Sequence, residues 1–198
     1  PAALALPDEL LGPRLRLRPH RAGDGPVLLD ALQESAASLR TFLWGLGWVA
    51  QDHTLASAEA RALHCAAQWA ARSDLAWLMF RRDYDRLVGS VGLHRTDWTV
   101  PCTEVGYWVR PSEAGRGWAS EGVRTVVDWA FEGLGAVRVA LVSDAENLAS
   151  RRVAERCGFT LEGVHRQVLR DPQGRLRDHC VYARLAPDRR RSEEHTSE

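Results

Sequence analysis

Between Glu104 and Gly122 the chain reads EVGYWVRPSEAGRGWASEG. A strand-like run enters a loop with glycines at 115 and 117. The loop passes directly into the clearest helix of the sequence, where Val123, Val126, Val127, Ala130 and Phe131 recur at i, i+3, i+4, i+7 and i+8. A strand that turns at once into an amphipathic helix belongs to a layered α/β domain, in which the helix packs back on a sheet. The same succession marks a place for chemistry. The first N–H groups of a helix lack intrahelical partners and stand at the positive end of its dipole, so a glycine loop opening a helix can hold an anion without a basic side chain. Arg116 adds a positive charge there. The bland reading is a tight strand-to-helix turn that uses glycine for its geometry alone.

The rest of the chain fits one α/β domain with no internal repeat and no linker. Alternation predicts strands over 14–20, 75–81, 86–94 and 102–110, and a near-continuous apolar run predicts a buried strand over 136–142. Two more strands, over 159–170 and 176–185, flank the turn Asp171-Pro172-Gln173-Gly174. Helices are expected after Asp24 as cap, over 54–72, 119–132 and 147–157, with Gly133 and Gly158 as stops. The Trp- and Gly-rich stretch from Phe42 to Trp48 reads as a loop or broken helix.

Composition removes whole classes of function. All 26 basic residues are Arg, so chemistry that needs a lysine amine or a P-loop lysine is excluded. They balance 26 acids, whereas a general nucleic-acid binder shows a basic excess. Cys65, Cys102, Cys157 and Cys180 form no CxxC pair, and the seven histidines show no ligand spacing, so no metal is expected. Scattered single thiols and the lack of a signal-like or membrane-length apolar run lead to an expected cytoplasmic protein. The last eight residues, RSEEHTSE over 191–198, resemble a translated sequencing adapter and are read as non-native, with 1–13 as an N-terminal extension and 14–187 as the domain.

A second motif, NLASRRVAERCGFTLEG from Asn147 to Gly163, follows AGRGWA at 114–119 by about thirty residues. In this order the two motifs resemble the Gcn5-related N-acetyltransferase (GNAT) superfamily. The sequence is similar to its RimJ/RimL branch, a likeness that extends through Gly106-Tyr107-Trp108 and the terminal VYARL at 181–185. The resemblance implies a mixed, strongly bent sheet of about seven strands flanked by about four helices, with acetyl-CoA in a V-shaped cleft between strands 4 and 5. It implies pyrophosphate contacts at Gly115, Arg116, Gly117, Trp118, Ala119 and Ser120, and pantetheine contacts along Tyr107, Trp108 and Val109. Asn147 matches the family's asparagine near the same arm and also suits a helix N-cap. Ala114 stands where the family pattern has Gln or Arg.

The implied reaction is acyl transfer from acetyl-CoA to an amine, which needs a neutral amine, donors for the oxyanion and a proton for the leaving thiolate. Backbone N–H groups near Trp108 and Val109 are the expected oxyanion donors. The tyrosine that serves many relatives as acid is replaced by Ala154, and Ser150 matches the serine proposed for that role in the RimL branch. Its alternative is a first-turn helix residue bonding the backbone. The branch's glutamate base is replaced by Leu169, so Glu104 becomes the candidate base, with Glu162 behind it. An ordinary half-exposed strand residue is the other reading of Glu104. An α-amine of pKa ~7.8 is roughly 15% neutral at pH 7, against below roughly 0.1% for lysine, so a weak base favours an α-amino acceptor such as that of a ribosomal protein. The acceptor pocket is expected around Phe42 to Trp48; Trp44 and Trp48 are candidates for its wall, with core packing the other reading of the tryptophans, and Arg40, Arg81 and Arg95 are candidates to meet an acidic acceptor, with a solvated arginine the other reading of each. Transfer to a small-molecule amine and a non-catalytic acyl-CoA-binding domain are the rivals. Relatives often form homodimers.

Overall fold

Leu15–Pro19 pairs with Leu75–Arg81, and Leu75–Arg81 with Leu87–Asp97, so the chain begins as an antiparallel sheet interrupted by helices. The computed structural model describes residues 5–187, and the suspect tail over 191–198 lies outside the described residues. The strands are β1 (Leu10–Leu11), β2 (Leu15–Pro19), β3 (Leu75–Arg81), β4 (Leu87–Asp97), β5 (Cys102–Val109), β6 (Arg138–Asp144), β7 (Thr160–Arg170) and β8 (Leu176–Leu185). The helices are α1 (Gly25–Phe42), α2 (Gly47–Ala50), α3 (Leu55–Ala71), α4 (Trp118–Glu132) and α5 (Leu148–Arg156). One sheet of eight strands runs β1-β2-β3-β4-β5-β6-β8-β7.

Two apolar cores cover the two faces. On one, Val123, Val126, Val127, Ala130 and Phe131 of α4 pack with Val153 and Ala154 of α5 against Val91, Leu93, Val105, Val139 and Leu141. On the other, Leu28, Leu32 and Leu39 of α1 and Ala58 and Ala62 of α3 pack on Leu78, Phe80, Leu87 and Trp108. The faces follow from alternation: odd residues of β5 meet the α4 core, and Trp108 meets the α1/α3 core.

β5 is tied to the helices by Arg110, which is almost fully buried. It donates 2.7 Å bonds to Asp30 and to Glu34 of α1 and a 3.3 Å bond to the Leu87 carbonyl. Burial would raise the Glu34 carboxyl, but the bonds from Ser112 and Arg110 prevail and bring it down to about 2.

The expected elements are present, with shifts of a few residues. Asp24 does precede α1, yet its carboxylate is not the cap; it takes two bonds from Arg18, at 2.8 and 2.7 Å, and one from the Arg21 N–H. Glu59 of α3 serves the helix start instead, accepting from Gly23 and Gly25. The 1–13 extension is not wholly outside the fold, because β1 adds an edge strand by pairing Leu10 with Leu17 and Leu11 with Arg16. Counting β1, and the four-residue α2 inside the expected broken segment, gives eight strands and five helices among the described residues rather than about seven and four.

Candidate active site

β5 and β6 are parallel neighbours for only three residue pairs, Cys102 with Arg138, Thr103 with Val139 and Glu104 with Ala140. Beyond Glu104 they part, and a gap opens between the fourth and fifth strands when the short β1 is left uncounted. The edge of β5 facing this gap can be read from its ends. Pro101 accepts from Val137 on the β6 side at 2.8 Å, and Arg110 donates to Val88 on the β4 side at 2.8 Å. Alternation between those points turns the backbone groups of Val105, Tyr107 and Val109 toward the gap. The Trp108 N–H therefore faces β4, so that of the backbone donors expected near Trp108 and Val109 those turned to the gap belong to Tyr107 and Val109.

At the open end of the gap lies the glycine loop. Gly115 and Gly117 have φ of 75° and 82°, a left-handed conformation that favours glycine, and Gly117 is the residue before α4. The first α4 bond runs from the Glu121 N–H to the Gly117 carbonyl. The N–H groups of Gly115, Arg116, Gly117, Trp118, Ala119 and Ser120 find no hydrogen-bond partner among the described residues. Two buried acids hold the loop in shape. Glu121 accepts from the N–H groups of Arg14 and Leu15 and from Arg14 Nε, at 2.7 to 2.9 Å. Glu113 accepts from Trp118 Nε1 at 3.1 Å and lies within ion-pair distance of Arg81, Arg86 and Arg116. Arg14 also stacks 4.2 Å from the Trp118 ring centre. The result is a run of free donors at a helix start, amid arginines.

Across the gap, Asn147 Oδ1 accepts from the Ser150 N–H at 3.1 Å as the N-cap of α5. The Ser150 hydroxyl accepts a 3.1 Å bond from the Tyr107 hydroxyl. Burial pushes the Tyr107 phenol up to about 12, so it stays a donor at neutral pH. A serine and a tyrosine thus meet on the α4/α5 face beside the free edge of β5. Ala154, at the position of the absent helical tyrosine, is fully buried.

The candidate bases are engaged elsewhere. Glu104 is clasped through both oxygens by Nε and Nη2 of Arg95, and Glu162 through both by Arg138. On the α1/α3 side a cavity of about 300 Å3 lies between the end of α1 and the β7–β8 turn. Arg40, Trp44, Arg175 and Arg177 are in its wall. Arg177 is buried and bonds Asp144 at the end of β6 at 3.0 and 2.8 Å, which fixes this wall to the gap. Of the residues expected around the acceptor, Trp44 and Arg40 are here. Trp48 instead packs under Arg61 at 3.8 Å, Arg81 pairs with Asp83 and Glu113, and Arg95 with Glu104.

Residues 14–160 match the acetyltransferase (GNAT) domain family. The chain belongs to that family. This GNAT acetyltransferase is 34% identical over 122 residues to the uncharacterized N-acetyltransferase YoaA of Bacillus subtilis (strain 168), an alignment covering 62% of this chain and 68% of YoaA. Among solved structures it resembles RimL, a ribosomal alpha-N-protein acetyltransferase in complex with coenzyme A, with a TM-score of 0.80, 22% identity and coverage of 90% of this chain and 98% of that one. It also resembles the microcin self-immunity acetyltransferase MccE in complex with acetyl-CoA and AMP, with a TM-score of 0.78, 17% identity and coverage of 87% and 93%. At those identities the solved structures speak for the fold.

Membership makes the protein an acetyl-CoA-dependent N-acetyltransferase, and the chain's own donors fit such a cosubstrate: a row of free N–H groups for the pyrophosphate and an open strand edge for an amide-bearing arm. Among the described residues no cluster of His, Cys, Asp and Glu could hold a metal, and no helix is long and apolar enough to cross a membrane. Sequence reasoning overlooked the Tyr107 side chain, because the resemblance drew attention to its backbone. It also overlooked His94 on β4, whose Nδ1 lies 2.5 Å from Asp74 Oδ1. The available signal was a histidine closing the expected strand over 86–94, two residues after Gly92, with Gly106 in the next expected strand.

Proposed function

We propose that this acetyltransferase moves the acetyl group of acetyl-CoA to the α-amino group of a protein N-terminus. The observation that carries the placement of the cosubstrate is the row of six free N–H groups over 115–120, beside the unpaired edge of β5. The pyrophosphate binds that row, with Arg116 adding charge. The pantetheine arm runs along the β5 edge, bonding Tyr107 and Val109, with the Trp108 ring as a wall on the acceptor side and Asn147 nearby. The thioester oxygen, as it gains charge, takes a backbone N–H from the same edge. Ser150 gives its hydroxyl proton to the departing thiolate, and the Tyr107 hydroxyl, already bonded to Ser150, restores it.

The α-amine reading is supported by the engagement of the two candidate carboxylates: Glu104 would have to give up both Arg95 contacts to take a proton, and Glu162 both Arg138 contacts. A site with little carboxylate help suits an amine that is partly neutral at pH 7. The likeness to RimL points the same way. Small-molecule amines are the second reading, favoured by the cavity of about 300 Å3 walled by Arg40, Trp44 and Arg177. Thiol release from acetyl-CoA, measured with short peptides bearing free N-termini and then with a panel of small amines, separates the two. Turnover with peptides alone supports the proposal, and turnover with small amines alone replaces it. Self-association belongs to the same reading. Leu161 and Val164 of β7 are each more than 40% exposed and share the face of Tyr182 and Cys180 on this edge strand, an apolar contact suited to a second copy, and light scattering is expected to give twice the chain mass.

A further inference from the structure

The reaction needs a base on the side from which the amine arrives. The described geometry separates two faces. Odd residues of β5 and the Ser150–Tyr107 pair lie on the α4/α5 face, where the thiolate leaves. The arginine-walled cavity lies on the α1/α3 face, where Trp108 is buried. His94 is on that second face. It pairs across the ladder with Glu104, and its ring folds back over two glycines that oppose one another, Gly92 on β4 and Gly106 on β5. A methyl group at Gly106 would stand 3.2 Å from His94 Cδ2 and 3.3 Å from Nε2, and one at Gly92 only 2.8 Å from Cε1 and Nε2. The two missing side chains are what let the ring lie flat against the sheet. Gly106 is two residues past Glu104, the last β5 residue paired with β6, so the ring rests at the mouth of the gap.

The other nitrogen is fixed. Asp74, in the connection between α3 and β3, stands 2.5 Å from Nδ1 through Oδ1 and accepts its proton, so that Nε2 carries the lone pair. Nε2 has no partner among the described residues, and the imidazole is about a third exposed. The charged groups around the pair are Asp74 itself, Glu104 across the ladder, the Arg95 that holds Glu104, and Arg61 of α3, near enough to attract Asp74.

We propose that the His94–Asp74 pair is the general base of the acetyl transfer. The inference rests on the acetyltransferase reading of the gap and deepens it. The amine nitrogen enters from the α1/α3 face and forms its bond to the thioester carbon. Its proton passes to His94 Nε2, and Asp74 steadies the imidazolium. The carbon–sulfur bond breaks and the sulfur leaves with the electron pair. Ser150 gives the sulfur a proton, recovers one through Tyr107 from solvent, and the proton on Nε2 returns to water. One amine and one thioester become one amide and one thiol, with no net proton.

Thiol release from acetyl-CoA and a peptide amine, followed against pH, tests this. In His94→Gln, kcat/KM is expected to fall on the order of 10²-fold or more. The acidic limb of its pH profile disappears, while the acetyl-CoA Kd stays within about twofold. His94→Ala leaves a space over Gly92 and Gly106 that free imidazole can enter, and added imidazole is expected to restore a measurable part of the rate, which a packing role would not allow. Asp74→Asn is expected to lower kcat less than His94→Gln. A His94→Gln protein with wild-type rate and an unchanged acidic limb overturns the assignment. So does a His94→Ala protein that binds acetyl-CoA normally, is inactive and gains nothing from imidazole. A wild-type chain that binds CoA and releases no thiol with any amine removes the acetyltransfer reading, and the base with it. Wild-type turnover together with indifferent His94 variants removes the base alone.

Discussion

Ser150 and Tyr107 are 43 residues apart in sequence and 3.1 Å apart at their hydroxyls. Ser150→Ala is expected to lower kcat on the order of 10²-fold with little change in acetyl-CoA affinity, since the serine acts on the leaving group. Tyr107→Phe keeps the ring and removes one neutral hydrogen bond, so a loss of roughly fivefold is expected, matching about 1 kcal/mol. Steady-state kinetics beside a CoA titration separates both from a binding defect. His20 gives a different kind of residue-scale test. It is nearly fully buried, neither ring nitrogen has a partner among the described residues, and burial, with the Arg61 charge behind it, pushes it down to about 3. The unfolded chain therefore takes up a proton at His20 near pH 6.5 that the folded chain refuses until about pH 3. Its contribution is whole above about pH 6.5 and drains as pH falls between those limits, by up to about 1.4 kcal/mol per pH unit. In urea titrations His20→Leu is expected to flatten the loss of stability between pH 6.5 and 4; an unchanged slope would place the acid sensitivity in the carboxylates. At this scale the motif marked the position of Ser150, and the fold sets its hydroxyl against that of Tyr107. The sequence was silent where two residues meet only in the fold. His94 and Asp74 are 20 residues apart with a strand and a turn between them, and no periodicity joins them.

The elements were more legible than the contacts between them. α4 declared itself through its valine stripe, and all five stripe residues are buried. β8 falls on the expected 176–185 because alternation and the preceding turn agree. β1 was missed because two residues are too few for a period, and α2 because four residues cannot be told from a loop. Element ends also carry the sharpest backbone constraints. Gly117→Ala places a side chain at φ 82° just before α4. A cost of about 1–2 kcal/mol is expected from the left-handed conformation, together with weaker acetyl-CoA binding as the donor row is displaced. Gly89→Ala is more severe. A methyl group there would lie 2.0 Å from the Trp108 carbonyl oxygen, which is backbone and cannot swing aside. The β4–β5 ladder must shift, and destabilisation of about 3 kcal/mol or more is expected in chemical denaturation.

At the scale of the molecule, the one sheet has two halves joined by only three residue pairs. β1 to β5 form one and β6, β8 and β7 the other, bridged on one face by α4 and α5. Hydrophobic periodicity gave the strands, yet nothing in it says that β5 and β6 part after Glu104; that came from the resemblance alone, because a splay is a property of pairing and not of any single segment. The architecture leaves polar backbone on the inner edges and at the start of α4, groups that cost free energy when stranded and gain it when a ligand supplies partners. A cosubstrate that partners the 115–120 groups and the β5 edge is therefore expected to stabilise the fold. Acetyl-CoA at about 100 times its Kd is expected to stabilise the protein by about 2.7 kcal/mol, or roughly 5–10 °C in Tm for a chain of this size. Amide hydrogen exchange gives the finer reading. The N–H groups of 115–120, Tyr107 and Val109 are expected to slow on adding acetyl-CoA, while that of Trp108, already turned to β4, is slow without it. Equal protection of Trp108 and Val109 in the free protein would show that β5 has no open edge, and protection that spares 115–120 would move the pyrophosphate elsewhere.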